Sequence, residues 1–277
     1  MDLGAMERSY SEVVPLRPPG RSLPLFCLHD GNFCHMAAAM QADQSIYGLR
    51  CINLDGAGVS LSIEQLATSH LHQICKVQEH GPYQLIGYSF GGFVAYEMAR
   101  QLVNRGENVG LLAMVDTVNP LFYRNLSHTE ARRFRKTYFA DRIRKYSRNL
   151  IQGRFDSVGS DASRLIGKKV KWITRKITQT LGQVLDRPLS NINPSLIVEE
   201  MSRSYTPKEF RGRLVLFRVQ KALDGGSEFD EDPSLGWHKY ANNGVDVQFV
   251  AGGHETVMQM PNVLDLANKL APYLAEH

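Results

Sequence analysis

A serine within a Gly-x-Ser-x-Gly pattern is the residue of this chain best suited to chemistry. Residues 87–92 read Gly-Tyr-Ser-Phe-Gly-Gly, with Ser89 at the centre. A serine hydroxyl is a poor nucleophile near neutral pH, so it needs a neighbouring base and donors that receive an oxyanion. The apolar run before the serine predicts a strand over 83–88, and the periodic run after it predicts a helix over 91–104. A strand, a sharp turn and a helix are the context of a nucleophile elbow.

Two later residues are the candidates for the remaining members of a hydrolytic triad. In α/β folds with a serine elbow, the serine is followed along the chain by an acid and then by a histidine. Asp116 ends the apolar run 109–115, and His254 follows the run 245–250 and two glycines. The carboxyl ends of parallel strands meet at one edge of a sheet. We therefore expect Ser89, Asp116 and His254 to lie together, with the histidine as the base.

The acid has a second candidate in the sequence. Asp224 lies beyond a predicted strand at 214–219, where many serine hydrolases carry their acid, and Asp230 and Asp232 follow it. Asp116 has the better local context, because an ionised carboxylate at the end of a buried strand is costly without a partner such as an imidazole N–H. The cluster at 230–232 is more typical of a solvated loop. We favour Asp116 and keep Asp224 as the alternative.

Two backbone amides are the candidates for oxyanion stabilisation. One such donor usually follows the nucleophile, and the other comes from the loop after an early strand. Phe90 supplies the first, and Gly31, in the loop His-Asp-Gly-Asn after residues 25–28, is the candidate for the second. The sequence contains no zinc-ligand spacing, Walker loop or dinucleotide fingerprint. We therefore predict no metal and no cofactor.

Strands and helices alternate along most of the chain. This order predicts an α/β fold in which a mostly parallel central sheet carries helices on both faces. The predicted strands cover 25–28, 46–51, 83–88, 109–115, 214–219 and 245–250, and the predicted helices 36–40, 62–79, 91–104 and 262–274. Residues 1–12 resemble a linker and 13–277 a single domain. The alternation breaks over about 119–205, where we predict a helical lid inserted over the site.

Bulk properties restrict the class of protein. The chain has 277 residues, no apolar run of the length that spans a bilayer, and three prolines among its first twenty residues. We therefore expect a cytoplasmic protein. Four cysteines without a C-x-x-C pair argue against a disulfide framework. The net charge is +4, but residues 121–180 hold sixteen Lys or Arg against four Asp or Glu. Such a basic segment suits a solvated helix face, a nucleic-acid patch or a docking surface for an acidic partner.

Four segments together resemble a known family. Residues 24–29, 87–92, 111–117 and 253–258 are similar to the thioesterase domains that end nonribosomal peptide and polyketide synthetases. The similarity runs from about residue 12 to the C-terminus and is weakest in the predicted lid. It implies an α/β-hydrolase fold and an enzyme that takes an acyl or peptidyl chain from the phosphopantetheine arm of a carrier protein onto its serine. Water or an internal nucleophile then releases the chain.

The resemblance also bears on the acid and on the partners. Integrated thioesterases carry the acid at the position of Asp116, whereas standalone editing thioesterases tend to carry it later, so the resemblance favours an integrated releasing domain. Asp30 departs from the family, which often has proline there. The implied partner is an acidic carrier domain, and we predict neither nucleic-acid binding nor membrane insertion, and a monomer or weak dimer. Four basic residues of the lid are candidates for carrier docking: Arg132, Arg133, Arg135 and Lys136.

Three other functions remain open at the level of the sequence. A carboxylesterase or lipase acting on small esters would use the same residues, and so would a standalone editing thioesterase. A noncatalytic binding protein of the same fold would instead use the basic segment.

Overall fold

A computed structural model describes most of the predicted sheet and its helices. The described residues are 13–18, 20–28, 32–41, 43–49, 62–121, 198, 201–219 and 232–275. The chain divides into two compact units, Met1–Asn125 with Ile192–His277, and Leu126–Asn191. All described residues belong to the first unit. The linker at 1–12 and most of the lid predicted at about 119–205 lie outside the described residues, so both remain predictions.

Seven strands of the described residues form one sheet, in the order β1-β3-β2-β4-β5-β6-β7. Only β1 runs antiparallel to its neighbour, and the other adjacent pairs are parallel. This arrangement confirms the predicted α/β class. The strands are β1 (Val13–Arg17), β2 (Leu25–Leu28), β3 (Ile46–Leu49), β4 (Tyr83–Tyr88), β5 (Val109–Val115), β6 (Leu214–Val219) and β7 (Val245–Val250).

The helices largely follow the sequence pattern. Among the described residues, the α-helices with defined bounds are α1 (Cys34–Ala39), α2 (Ile63–Ile74), α3 (Phe90–Asn104) and α4 (Asn262–Ala275), and a short 3-10 helix covers Trp237–Lys239. Ser62 and Gln65 form a capping box that starts α2. The prediction that this helix continues to residue 79 is wrong, because the amides of Lys76 and Val77 bond three residues back and tighten the chain into a turn. No helix in the described ranges is long and apolar enough to cross a membrane.

The central strands of the sheet are largely buried on both faces, because helices pack on each side. Successive side chains of a strand point in opposite directions and so enter the two layers in turn. One face packs with α2 and α3, and the other packs with α1 and α4. Neighbouring residues of β4 show the alternation, since Leu85 lies in the first core and Ile86 in the second. The same alternation occurs at Leu112 and Ala113 of β5, and at Leu216 and Val215 of β6. The sheet therefore lies between two apolar layers, one on each face.

Three parallel strands have their carboxyl ends at the same edge of the sheet, and each end is followed by one of the predicted triad residues. β4 ends directly before Ser89, and β5 ends directly before Asp116. β7 ends at Val250, four residues before His254. The carboxyl edge of the sheet thus carries the three predicted triad residues, as expected for sites of open α/β folds.

Candidate active site

Ser89 lies at a strained turn between β4 and α3. Its backbone has φ 53° and ψ −115°. Few residues other than glycine adopt positive φ, and such strain costs about 1–3 kcal/mol, so it persists only where the surroundings impose it. The Ser89 N–H donates to the carbonyl of Val115 at 3.0 Å, and the Ser89 carbonyl accepts the N–H of Gly92 at 3.0 Å. The adjacent strand and the first helical turn therefore hold the serine in place.

The glycines of the motif are required by close backbone contacts. A Cβ on Gly87 would lie 2.2 Å from the carbonyl oxygen of Gly91. A Cβ on Gly91 would lie 2.3 Å from the carbonyl oxygen of Leu28, at the end of β2. Both contacts are with backbone atoms, which cannot rotate away as a side chain can. The Gly-x-Ser-x-Gly pattern therefore allows the first turn of α3 to press against the ends of two strands.

Asp116 and His254 form a hydrogen-bonded pair. The Asp116 Oδ2 lies 2.7 Å from His254 Nδ1, and the aspartate side chain is 12% exposed. An ionised carboxylate only accepts hydrogen bonds, so Nδ1 carries the proton and Nε2 keeps its lone pair. Asp116 also has a positive φ of 46°, and its N–H donates to the carbonyl of Phe217 at 2.8 Å. The acid is thus held at a second strained position, between β5 and β6.

The charge of Asp116 changes the basicity of the imidazole. Burial of His254 acts to lower its pKa, but the hydrogen bond and negative charge of Asp116 outweigh burial, with a smaller contribution from Glu255. The net effect raises the pKa of His254 above its ordinary value of 6.5. The imidazole is therefore a stronger base than it would be without its carboxylate partner.

We expect His254 to titrate above pH 6.5 in the folded protein. An imidazole that acts as a base must be neutral, so kcat/KM should rise with pH through this same raised pKa. In Asp116→Asn, the opposing effect of burial remains and the main cause of the increase is lost, so the titration should move to lower pH. NMR titration of the His254 ring, assigned by comparison with His254→Ala, measures both values. An unchanged midpoint in Asp116→Asn would contradict the proposed cause.

Tyr88 is a functional candidate that the sequence did not reveal. Its hydroxyl donates to the backbone carbonyl of His254 at 2.5 Å, and the two rings lie 5.2 Å apart between centroids. Burial raises the pKa of Tyr88, followed by smaller contributions from Glu255 and Asp116, so the hydroxyl remains protonated at neutral pH. The residue before the nucleophile thus connects the elbow to the histidine loop. No local sequence signal marks this contact, because the two partners are remote along the chain.

Removing this hydroxyl is expected to impair catalysis moderately. We expect Tyr88→Phe to lower kcat by up to about tenfold, because one neutral hydrogen bond contributes about 0.5–1.5 kcal/mol. The matched control is Tyr83→Phe, since the Tyr83 hydroxyl bonds the carbonyls of Gln78 and Glu79 at the opposite end of β4. Steady-state kinetics and denaturant unfolding of both variants provide the measurement. Equal losses of kcat in the two variants would show that Tyr88 has no specific role.

Of the other predicted site residues, Phe90 lies within the described part of the chain, and several do not. Phe90 begins α3, and the first amides of a helix have no acceptor within the helix. Its N–H therefore suits the predicted oxyanion role. Gly31, Asp224 and the four docking residues at 132, 133, 135 and 136 lie outside the described residues, so their roles remain predictions.

Of the cluster predicted to form a solvated loop, only Asp232 lies within the described residues, and its side chain there is hydrogen-bonded and 21% exposed. Its carboxylate accepts the amides of Ser234 and Gly236 and the hydroxyl of Ser234, all within 2.9 Å. These hydrogen bonds lower the pKa of Asp232 against the opposing effect of burial, and His238 contributes further. Asp232 thus stabilises the turn that precedes Trp237. A turn of this kind is not recognisable from an acidic run alone.

A mostly parallel sheet between two layers of helices, with a strained serine turn at its carboxyl edge, defines an α/β hydrolase. The family model for the thioesterase domain matches residues 24–270. The chain belongs to this thioesterase family, and it is therefore an enzyme that cleaves thioesters, as predicted.

This chain is similar to part of several much longer synthetases. Malpinin synthetase of Mortierella alpina is 30% identical over 255 residues, covering 90% of this chain and 3% of the synthetase. A dimodular nonribosomal peptide synthase of Bacillus subtilis (strain 168) is 26% identical over 283 residues, covering 100% of this chain and 11% of the relative. The chain thus corresponds to a small part of each. This relationship confirms the resemblance to synthetase thioesterase domains and supports thioester release as the general activity.

Solved structures independently support the fold. The NocB thioesterase domain, in covalent complex with a fluorophosphonate nocardicin G analog, has a TM-score of 0.57 at 20% identity. That match covers 96% of this chain and 99% of the NocB chain. The Vlm2 thioesterase domain has a TM-score of 0.57 at 16% identity, covering 95% of this chain and 97% of the other. At such identities the likeness confirms the α/β-hydrolase fold alone.

Proposed function

We propose that this domain releases an acyl or peptidyl chain from the phosphopantetheine thioester of a carrier protein through an acyl-Ser89 intermediate. The observation that carries the proposal is the 2.7 Å contact between Asp116 and His254 at the sheet edge that also bears the strained Ser89. Membership of the thioesterase family and the synthetase relatives support the substrate class. Release ends either in hydrolysis or in cyclisation.

In the proposed acylation step, Ser89 Oγ attacks the thioester carbonyl carbon while His254 Nε2 takes the hydroxyl proton. The amides of Phe90 and Gly31 stabilise the oxyanion of the tetrahedral intermediate. When that intermediate collapses, the C–S bond breaks and the imidazolium gives its proton to the leaving sulfur. Asp116 keeps the imidazole in the required tautomer and stabilises its charged form. The products of this step are the acyl-serine ester and the free thiol of the arm.

In the proposed release step, water or a nucleophile of the acyl chain attacks the ester carbonyl. His254 removes the proton of the attacking group, and the new tetrahedral intermediate expels Ser89. The imidazolium then returns the proton to the serine oxygen. Attack by water gives a free acid, and attack by an internal group gives a cyclic product. Neither step requires an added cofactor, so we propose that the domain uses none.

The proposed partner is the carrier domain that delivers the arm. Carrier proteins of this class are typically acidic, and the phosphate of the arm adds negative charge. The four docking candidates of the lid would meet this charge by electrostatic complementarity, which mainly affects the rate of encounter. This part of the proposal rests on the basic composition of residues 121–180.

A serine-directed phosphonate tests the covalent step. We expect intact-protein mass spectrometry to show one adduct, and peptide mapping to assign it to Ser89. Ser89→Ala should give no adduct, and His254→Ala should react far more slowly because the hydroxyl has lost its base. Failure of the parent protein to form an adduct at Ser89 under any condition would overturn the serine mechanism and favour a noncatalytic role for this site.

Matched substrates distinguish the enzymatic alternatives. We expect turnover of an acyl thioester to exceed that of the same acyl group in an oxygen ester, whereas a carboxylesterase would show the reverse preference. An integrated releasing domain should prefer a long peptidyl chain on its carrier, and an editing thioesterase should prefer a short acyl group. Single-turnover assays with both chains on one carrier protein measure this preference.

A further inference from the structure

Thr117 is buried beside the elbow and directly follows Asp116. Its side chain lies in the part of the fold where β5 meets the start of α3, and the residue is 1% exposed. The Thr117 Oγ1 lies 3.0 Å from the carbonyl oxygen of Ser89 and 3.3 Å from that of Val115. A hydroxyl has one proton to donate, so the shorter contact, with Ser89, is its main hydrogen bond.

The Ser89 carbonyl belongs to the same peptide unit as the Phe90 N–H. A trans peptide is planar, so its C=O and N–H point in opposite directions and rotate together. The Ser89 carbonyl accepts two donors, the hydroxyl of Thr117 at 3.0 Å and the N–H of Gly92 at 3.0 Å. Fixing the carbonyl from this side fixes the direction of the Phe90 N–H on the other. That N–H is the donor to which the proposed function assigns the oxyanion.

Thr117 is itself held in place by its neighbours. The indole N–H of Trp237, a fully buried side chain, donates to the Thr117 carbonyl at 2.8 Å. On the opposite side, a Cβ on Gly92 would lie 2.1 Å from Thr117 Oγ1. The absence of a side chain at Gly92 therefore leaves room for the hydroxyl to reach the elbow. Gly92 lies outside the Gly-x-Ser-x-Gly pattern, but a glycine is required there because any side chain would collide with the Thr117 hydroxyl.

We propose that Thr117 is a positioning residue that orients the Phe90 amide for transition-state stabilisation by holding the carbonyl of the 89–90 peptide. The inference rests on the proposed function, because it requires an oxyanion at the Phe90 N–H. Thr117 acts through the peptide and makes no contact with substrate. Hydrogen bonds to the carbonyl also polarise the peptide, which strengthens its N–H as a donor.

Two substitutions separate the hydroxyl from the shape of the side chain. Thr117→Val keeps the volume and removes the donor, and we expect it to lower kcat about tenfold, the scale of one lost neutral hydrogen bond, with KM nearly unchanged. The loss should stay below the roughly 10²–10³-fold that follows complete removal of one oxyanion donor. Thr117→Ser keeps the donor and should recover most of kcat. The matched control is Thr68→Val, since the Thr68 hydroxyl bonds the Glu64 carbonyl and the Gln101 side chain within the α2 and α3 pair.

Inhibitor affinity separates positioning from a general structural defect. A boronic acid forms a tetrahedral serine adduct with an oxyanion, whereas a thioether analogue of the substrate mimics only the ground state. We expect Thr117→Val to weaken the boronate in proportion to kcat and to leave the thioether affinity unchanged. Equal weakening of both inhibitors, or a loss of kcat that Thr117→Ser does not recover, would overturn the proposal. If the valine variant does not fold, Thr117→Ala serves in the same comparison.

Phosphonate labelling keeps this test independent of the proposed function. A parent protein without labelling at Ser89 shows that the serine mechanism has failed, and the role of Thr117 fails with it. The other outcome is that the parent protein is labelled but Thr117→Val keeps its kcat and its boronate affinity. In that case the serine mechanism holds, and only the role of Thr117 is wrongly assigned.

Discussion

Ser89→Ala and His254→Ala should each lower kcat by about six orders of magnitude, and the double variant should lose hardly more than either single variant. Members of a nucleophile–base pair act as one unit, so removing either member removes the contribution of both. Each variant should retain about 10³–10⁴-fold acceleration over the reaction in water, from binding and oxyanion stabilisation. Single-turnover release from an acyl thioester, with the uncatalysed rate measured in parallel, tests this expectation.

The controls for this experiment are histidines that the structure places away from the elbow. His80 is exposed and bonds Glu107 at 3.2 Å, and His72 lies in the last turn of α2. We expect His80→Ala and His72→Ala to retain parent activity. A double variant whose rate falls far below that of either single variant, down to the uncatalysed rate, would show that Ser89 and His254 act independently. Such a result would contradict the triad.

Asp116→Asn should lower kcat by about four orders of magnitude, the scale seen when the acid of a serine triad is neutralised. The Asp116 Oδ1 faces the N–H of Val219 at 3.5 Å, and Oδ2 faces His254 Nδ1 at 2.7 Å. An asparagine that keeps its oxygen toward Val219 presents its NH₂ group to Nδ1. Nδ1 then becomes the acceptor, and the proton moves to Nε2. The nitrogen that should accept the serine proton is thereby blocked.

The comparison with other carboxylates decides between the two candidate acids. Asp224→Asn tests the alternative position, and we expect it to retain activity close to that of the parent. Asp246→Asn is a control for the loss of a hydrogen-bonded carboxylate, because Asp246 bonds Arg213 and Tyr273. Turnover should be measured at saturating thioester for all three variants. Equal losses in Asp116→Asn and Asp224→Asn would leave the assignment of Asp116 unsupported.

The elements around the candidate site could be predicted because their signals are local. Uninterrupted apolar runs mark the central strands, since those strands are buried on both faces. The predicted bounds of β4, β5, β6 and β7 agree with the structure. The end of α2 was predicted wrongly, because polar residues can continue a helical pattern while the chain already turns. Its actual end depends on the turn after Ile74, where the amides of Lys76 and Val77 bond three residues back.

The sequence by itself determined the central strands, their mostly parallel arrangement, and the sheet edge at which Ser89, Asp116 and His254 emerge. Apolar patterning and the glycines of the elbow carry that information along short stretches of chain. Only the tertiary structure decided the 2.7 Å pairing of Asp116 with His254, the contact of Tyr88 with the histidine loop, and the hydrogen bond from Thr117 to the elbow. These contacts join residues that are distant in the chain, and packing of neighbouring strands imposes the positive φ of Ser89 and Asp116 against their local preference.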